Sequence, residues 1–497
     1  MTRRVSGFDY TRAFFGSRSA DTGAGEDTMS PPAISDSGKP SAGSDSVRRW
    51  LAMGVVALGT IAAILSSTSL NVAAPALMLR FGLGQDRIQL VVTVFMLANT
   101  IAMLPSPWLI ERFGLRRCFV AALLMLAAGS TLGALSPNFL FLLCMRVLQG
   151  AAAGMLMPMG AIIVMQWFPF EQQGRASGLL GFGVILAPAV APGIGGLLID
   201  HYGWESVFLM SLPFCALAWP GAMRYLPGAA AGTHARFDWR GTGALVLMTV
   251  ALLACASSIN ASPGALWWAG GYALLAFFSL RGFLRHARRQ AHAIISVAVF
   301  AQRRVILGMF VSFAYGFGIY GSSYLIPVFL QTIMGLSATQ SGGILVPGGI
   351  VLAAIMPLAG WLADYSQPRL LTAAGLLLFA LSYGGIWFYS PDISYTAMMM
   401  LTILGRIGVG LLIASLNQAA LRRLHGKLLG QSAMLISYLR MLGGFLGVAL
   451  LAVLVEWRTA ALGGGSAAGA KAFNEAFLAS TVLLLLAMVA AWHMKED

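Results

Sequence analysis

Three arginines, Arg146, Arg406 and Arg440, lie inside long apolar stretches of this 497-residue chain, and no Asp, Glu or His lies in the interior of any of those stretches. A charge at the centre of a lipid bilayer costs at least about 2.5–3.5 kcal/mol, so such a residue is expected to have a function. A fixed cation facing a central cavity would favour an anionic or polarisable neutral solute and disfavour a cationic one. Proton transfer would need an acid that these stretches do not supply.

Arg146 and Gln149 are three residues apart and therefore share one face of a helix. Because no carboxylate is available inside the stretches, the candidate partners of Arg146 are helix-end carbonyls, Gln149, Asn71, Asn99 and water. Two interpretations stay open. Arg146 lines a substrate cavity, or it fastens the fourth apolar stretch to the first or second.

Arg406 and Arg440 have the same two interpretations. Arg406 stands among glycines, so a neighbouring helix could approach closely and offer its carbonyls, and Arg440 could reach the membrane interface with its long side chain. The aromatic residues of the ninth stretch, including Tyr315 and Tyr320, are typical of a loose drug pocket and equally of core filling.

The elements that must position these residues are membrane-spanning helices. The chain is 58% hydrophobic and 10% charged, with a mean hydropathy of +0.78, whereas a soluble protein carries about 25% charged residues. A spanning helix needs about 20 apolar residues. The predicted spans are 51–77, 88–110, 118–135, 139–166, 176–199, 205–226, 241–259, 266–284, 305–330, 340–363, 370–389, 395–416, 428–455 and 476–493.

The net charge of +14 is a signature of topology rather than of nucleic-acid binding. Apart from the three buried arginines, 25 Lys and Arg residues fall on the N-terminal side of the predicted membrane and four on the other side, namely Arg80, Arg87, Arg458 and Lys471. The positive-inside rule then places both termini in the cytoplasm. The basic excess also favours contact with anionic lipids.

The fold predicted from this pattern is an all-α polytopic membrane protein with two pseudo-symmetric six-helix bundles and two inserted helices. Its parts are a disordered cytoplasmic tail (1–46), an N-terminal bundle (47–226), a linker with the inserted helices and a basic loop (227–304), and a C-terminal bundle (305–497). Two motifs recur between the bundles. Trp-Leu-x-acid ends at Glu111 and again at Asp364, and a span arginine occurs at 146 and again at 406. Internal repeats of this kind are typical of secondary transporters.

These motifs resemble the major facilitator superfamily, and within it the fourteen-span drug:proton antiporters of the EmrB/QacA type. The resemblance covers residues 50 to 493. The loop after the second span carries a conformational gate motif in this family, here Glu111, Arg112, Gly114, Arg116 and Arg117. The fourth span matches Arg-x-x-Gln-Gly at Arg146 to Gly150, and the thirteenth matches Arg-x-x-Gly-Gly at Arg440 to Gly444. The fifth span matches the antiporter motif at Gly178, Pro192, Gly195 and Gly196, with Ala187 and Ala191 in place of glycines.

The resemblance implies that Glu111 and its basic neighbours bridge the two halves in one state and release them in the other, with Asp364 as the weaker counterpart. It also implies a carboxylate in the first span, where many relatives have Asp, but this chain has Ser66. The coupling role of that acid cannot pass to Ser66. The proton carrier is therefore left unassigned.

The sequence predicts a transporter of the bacterial inner membrane rather than an enzyme, with no catalytic residues, cofactor or metal. No Gly-x-x-x-x-Gly-Lys-Ser/Thr motif is present for ATP hydrolysis. The predicted function is efflux of amphipathic toxic compounds, with the small molecule, protons and a possible periplasmic adaptor as partners. The alternatives are an exporter or uniporter of an endogenous anionic or lipid-like metabolite without proton antiport, and a receptor or scaffold that does not transport.

Overall fold

The computed structural model describes residues 42–494, except 69, 229–235, 259–264, 291–292 and 390–392. These residues form helices joined by short loops. The first nine are α1 (Ala42–Thr68), α2 (Leu70–Phe81), α3 (Gln85–Met103), α4 (Ser106–Phe113), α5 (Leu115–Ala134), α6 (Phe139–Trp167), α7 (Gln173–Tyr202), α8 (Glu205–Leu209) and α9 (Leu212–Tyr225). The others are α10 (Trp239–Ser258), α11 (Ala265–Arg289), α12 (Val297–Ala301), α13 (Arg303–Thr332), α14 (Ala338–Tyr365), α15 (Pro368–Tyr389), α16 (Tyr395–Leu421), α17 (Gly426–Ala461) and α18 (Gly465–Trp492).

Eleven helical segments of the described chain are long and apolar enough to cross a membrane, or twelve if one bent pair counts as a span. That pair is Leu90–Met103 and Ser106–Phe113, which meet at an angle of 53°. The bend falls at Pro105, which lacks a backbone donor for a continuous helix. Every predicted span overlaps a helix, but the count of fourteen spans and the cytoplasmic termini remain predictions.

The helices extend beyond several predicted spans. Helix α18 begins at Gly465 rather than at 476, so Glu475 lies within it, and Glu456 lies within the last turns of α17. Glu475 forms a bidentate ion pair with Arg458.

The predicted tail (1–46) lies outside the described residues except for the start of α1. The surface where α1 begins and α6 ends, rich in Arg and Lys, is called the basic face below.

The helices pack in two groups, which are called here the first, or N-terminal, bundle and the second, or C-terminal, bundle. In the first, α6 packs against α3 and α5, and in the second, α13 packs against α17 while α15 and α14 pack against α16. Close approach depends on glycine at the crossing points. A Cβ at Gly150 would meet the carbonyl of Phe95 in α3, and a Cβ at Gly443 would meet the carbonyl of Phe313 in α13. Small residues at such crossings let membrane helices associate through tight backbone contact.

The inserted pair, α10 and α11, packs mainly on itself and also contacts α17 and α3. A buried hydrogen bond of 2.6 Å joins the hydroxyls of Thr249 in α10 and Tyr438 in α17. The chain after α11 is fixed to the same helix, because the Gln431 side chain bonds to the backbone of Ile294 and Ser296. The insert is thus attached to the C-terminal bundle through α17.

Candidate functional site

Arg146 is buried inside the first bundle, with 0% of its surface exposed. Its Nη1 donates to the Ser66 carbonyl at 2.9 Å and to Oε1 of Gln149 at 2.7 Å, and its Nε donates to the Val91 carbonyl at 3.2 Å. Its guanidinium carbon also lies 4.2 Å from the centre of the Phe95 ring. Ser66 is in the last turn of α1, where helix carbonyls lack intrahelical partners. Arg146 therefore joins α6 to α1 and α3.

The network continues from Gln149, whose Nε2 donates to Ser130 at 2.9 Å, and Ser130 pairs with Ser211 at 2.9 Å. This arrangement matches the fastening interpretation of Arg146 in the conformation described. Two polar atoms beside it have no partner in the described chain, Arg146 Nη2 and Ser66 Oγ. A carboxylate at position 66 would have this nitrogen to pair with. Asn99 is also buried, with its Oδ1 unbonded within the described residues, and the Asn71 side chain lies outside them.

Arg406 and Arg440 differ from Arg146. Both side chains are only half-buried, and neither forms a hydrogen bond or an ion pair with any residue that the structure describes. Both lie within electrostatic range of the Tyr315 hydroxyl. Tyr320 is close to Arg440, and Tyr383 is close to Arg406. These five residues, from α13, α15, α16 and α17, are called the tyrosine–arginine cluster.

The cluster sits at a common depth in the membrane. Arg440 is 14 residues from the start of α17 and Arg406 is 15 residues from the end of α16, both counted from the basic face. At about 1.5 Å per residue, these distances are about 21 Å and about 23 Å. Tyr315 is 12 residues into α13, about 18 Å by the same rise. The two arginines and the tyrosine therefore lie at a similar distance from the basic face, roughly midway along their helices.

The two bundles are joined at the basic face by Asp364, at the end of α14. Its Oδ1 accepts from the Gly174 amide at 2.6 Å, and its Oδ2 accepts from the Arg175 amide at 3.1 Å. Arg175 Nε lies 3.5 Å from Oδ2, and its Nη2 donates to the hydroxyl of Tyr365 at 2.9 Å. The Asp364 side chain is 1% exposed. A carboxylate at the first turn of α7 is favoured by the positive end of the helix dipole.

Glycines allow α7 and α14 to meet at this junction. A Cβ at Gly360 would lie 2.6 Å from the Gly174 carbonyl and 3.1 Å from Cα of Gly178. Further from the basic face, a Cβ at Gly195 in α7 or at Gly349 in α14 would meet no atom within 4 Å. The described contacts between these two helices are therefore tight at the basic face.

Glu111 occupies the equivalent place in the first bundle, but its bonding is different. Lys427, in the first turn of α17, supplies an opposing charge, yet Glu111 has no hydrogen bond or ion pair within 4 Å in the described part of the chain. The Cβ atom built on Gly430 comes 3.6 Å from Pro107, so α4 does approach α17. The sequence predicted Glu111 as the main bridging acid and Asp364 as its weaker counterpart. In the described residues Asp364 makes the direct bonds between the bundles and Glu111 does not.

The basic residues of the gate motif stay within the first bundle. Arg112 stacks near Trp108 at 5.2 Å, Arg116 donates to the Leu226 carbonyl at 2.7 Å, and Arg117 is exposed. Gly114 has φ +83° between α4 and α5, a conformation that side chains strongly disfavour.

Sequence reasoning missed the basic partners of the two acids. A repeat could have found them, since Gly174-Arg175 recurs as Gly426-Lys427 at an offset of 252, close to the offset of 253 between Glu111 and Asp364. Each acid thus faces the first turn of a helix in the other bundle.

An apolar cluster reinforces the junction. Ala161 and Ile162 of α6 pack with Ala433 and Ile436 of α17. Nearby, a cavity of about 260 Å³ lies between the α6–α7 loop and the α16–α17 loop, where Arg422 stacks on Phe170 at 4.8 Å. Both bundles contribute to each of these contacts.

The remaining residues of the antiporter motif lie on α7. Gly178 packs against α14 with its Cβ position 2.8 Å from the Met356 carbonyl, whereas Gly196 has space around it. Ala187, Ala191 and Pro192 are in the same helix, but their side chains lie outside the described residues.

Two bundles joined at one face, with arginines at mid-depth, define a membrane carrier. The sequence profile of the Major Facilitator Superfamily matches residues 56–448. The chain belongs to this family and is an integral, multi-pass membrane transporter. Transporters of this family are in general not enzymes.

Three comparisons illustrate the similarity. The chain is 29% identical to the "Uncharacterized MFS-type transporter YhcA" of Bacillus subtilis, covering 82% of this chain and 76% of that protein. It is also 29% identical to the "Multidrug resistance protein B homolog" of Mycobacterium tuberculosis, covering 86% and 81%. The structure of the human organic anion transporter MFSD10 shares the fold, with a TM-score of 0.63 at 18% identity over 88% of this chain and 99% of that one.

Proposed function

We propose that this protein exports amphipathic small molecules from the cytoplasm by alternating access, with protons as the coupling ion. The observation that supports it most is the junction at the basic face, where Asp364 joins α14 to the first turn of α7. The distribution of Lys and Arg predicts that this face is cytoplasmic. On that assignment, the described conformation is closed toward the cytoplasm, as an exporter is after it has presented its substrate outward.

Proton coupling is proposed on the chemistry of the same junction. The Asp364 carboxylate accepts two backbone hydrogen bonds in its charged form and is nearly inaccessible. Protonation would remove the charge that the helix terminus stabilises and would replace one acceptor with a donor. The junction would weaken, so opening of the basic face would follow the protonation state of Asp364.

The substrate class is proposed from the similarity to proteins named for multidrug resistance and from the absence of a carboxylate at Ser66. An uncompensated positive charge in the interior disfavours cations. Amphipathic compounds that are neutral or anionic are therefore the proposed cargo. A periplasmic adaptor remains a prediction from the resemblance.

A deletion strain complemented with the wild-type gene tests this function. We expect the wild type to raise the minimum inhibitory concentration of neutral and anionic amphipathic compounds, and Asp364→Asn to lose most of that resistance at equal expression. Unchanged inhibitory concentrations across the panel, with expression verified, would contradict the proposal.

A second candidate is export of an endogenous anionic metabolite without proton antiport, which Arg406 and Arg440 favour because neither has an ion-pair partner among the described residues. Reconstituted vesicles separate the two, because flux of an anion that does not depend on an imposed pH gradient would support the second candidate over the first.

A further inference from the structure

We propose that Arg406 and Arg440, together with the Tyr315 hydroxyl, bind the anionic group of the transported compound, so that aromatic organic anions are substrates. The inference rests on the proposed export function and specifies the chemistry of its binding site. The site lies in the C-terminal bundle, whereas the arginine network of the N-terminal bundle is structural.

Arg146 and Arg406 differ in their contacts and in their exposure. Both are arginines in the interior of a long apolar helix, Arg146 in α6 and Arg406 in α16. Arg146 has no exposed surface and uses three protein oxygens as acceptors. Arg406 keeps part of its surface accessible and has no acceptor among the described residues. The structural role that explains Arg146 therefore does not explain Arg406.

The positive charges of Arg406 and Arg440 need compensation inside the membrane. Five donors sit on each guanidinium, and a guanidinium within the membrane needs acceptors or an opposing charge. The side chains placed near Arg406 and Arg440 are neutral tyrosines. No carboxylate is among the described neighbours, so an acceptor that enters from outside would complete the site. An anionic ligand supplies both the charge and the acceptors, and guanidinium groups bind carboxylates through paired hydrogen bonds.

The tyrosines give the site its shape. The Tyr383 hydroxyl is already committed, since it donates to the Gly318 carbonyl at 2.8 Å, and the Tyr320 hydroxyl lies 3.5 Å from the sulfur of Met441. The Tyr315 hydroxyl has no hydrogen-bond partner in the described chain, although its ring is buried. Among the described residues, one hydroxyl without a hydrogen-bond partner therefore accompanies two guanidinium groups without one.

Glycines let neighbouring helices pack close to both arginines. Gly348 of α14 allows the Arg406 stem to pack close, since a Cβ there would lie 3.1 Å from Cγ of Arg406. Gly316 of α13 lets the Arg440 backbone approach in the same way. Aromatic rings beside a cation pair favour an aromatic anion, because the ring system of the ligand can pack on tyrosine while its acidic group reaches the guanidinium groups.

Two xanthene dyes of nearly equal shape test the site, the anion fluorescein and the cation rhodamine 6G. Binding to the purified full-length protein is measured by fluorescence anisotropy, and flux of each dye is measured in reconstituted vesicles. The wild type should bind fluorescein more tightly than rhodamine 6G. Arg406→Gln and Arg440→Gln should each weaken fluorescein binding by about tenfold or more, since a charged hydrogen bond is lost. The lysine variants should recover part of that loss.

Arg458→Gln is the matched control, because Arg458 is on the same helix as Arg440 but pairs with Glu475 near the opposite end. It should leave the affinity for both dyes unchanged. Tyr315→Phe removes a single oxygen and should weaken fluorescein binding a few-fold, so the site can be tested even where a glutamine variant does not fold.

Equal affinity for fluorescein in the wild type and in the Arg406, Arg440 and Tyr315 variants would overturn the inference, as would parallel losses for both dyes. Flux of rhodamine 6G without fluorescein in the wild type would overturn the anion site and the proposed preference for neutral or anionic cargo, but would leave export of amphipathic compounds intact. Flux of neither dye, together with an unchanged inhibitory panel, would contradict the proposed export function itself.

Discussion

Replacing Asp364 with Asn should shift the protein toward the state that is open at the basic face. The carboxylate accepts two backbone hydrogen bonds, at 2.6 and 3.1 Å, in a nearly inaccessible position. An amide keeps one oxygen but turns a donor toward the second N–H. A hydrogen bond to a charged group contributes about 1.5–3 kcal/mol, and a charge at a helix terminus contributes about 0.3–1 kcal/mol.

The ion pair with Arg175 adds little, since that side chain is 43% exposed and exposed pairs contribute about 0–1 kcal/mol. The junction should therefore lose about 2–3 kcal/mol, which is a change of about 30- to 150-fold in the ratio of closed to open molecules at about 1.4 kcal/mol per factor of ten. This estimate counts only contacts that break when the basic face opens. The Asp364 hydrogen bonds are counted because they link the two bundles.

Spin labels at Arg117 and Gln367 report this equilibrium, because both positions are exposed at the basic face on opposite bundles. The labelled protein carries serine in place of its four cysteines. Electron–electron resonance should show one short distance in the wild type and a major longer distance in Asp364→Asn. Asp200→Asn is the control, as Asp200 lies at the other end of α7 without a hydrogen bond or ion pair to a described residue. An unchanged distribution in Asp364→Asn, or an equal shift in Asp200→Asn, would refute the reasoning.

Three further outcomes follow from the same geometry. Gly360→Ala should open the basic face because its Cβ would overlap α7, while Gly349→Ala on the same helix should not; the same label pair measures both. Arg146→Ala should lower the thermal unfolding temperature of the purified protein, because the Ser66 carbonyl and Oε1 of Gln149 lose their donor, at about 1–3 kcal/mol for each unsatisfied group, and an unchanged temperature would contradict the fastening role. Ser66→Asp should place a carboxylate beside Nη2 of Arg146, which has no partner among the described residues, and should increase efflux of cationic dyes relative to wild type. If no cationic dye is exported faster, the positive charge of Arg146 is not the reason that cations are excluded.

The sequence predicts part of the fold and part of the Arg146 network. Apolar length predicts the helices, and the spacing of Arg146 and Gln149 predicts their pairing, because residues three apart share a helix face. The Ser66 and Val91 carbonyls could not be assigned, since a backbone acceptor has no side-chain signature. The repeat makes Asp364 the counterpart of Glu111 but does not say which acid is bonded.

That choice depends on how closely two distant helices approach. The α7 amides reach Asp364 only because glycines at 174 and 360 allow the backbones to touch, and this contact is between residues almost 190 positions apart. The hydropathy pattern does not mark every helix end either. Polar residues such as Lys471 and Glu475 interrupt the hydropathy signal at the start of α18, although the backbone remains helical.

Flux in reconstituted vesicles under an imposed pH gradient tests the proposed export most directly. We expect the wild-type protein to move an amphipathic dye against its concentration gradient only while the pH gradient is present. A protonophore should abolish this movement, and Asp364→Asn should no longer respond to the gradient. Dye movement of equal rate with and without the gradient would contradict proton-driven export.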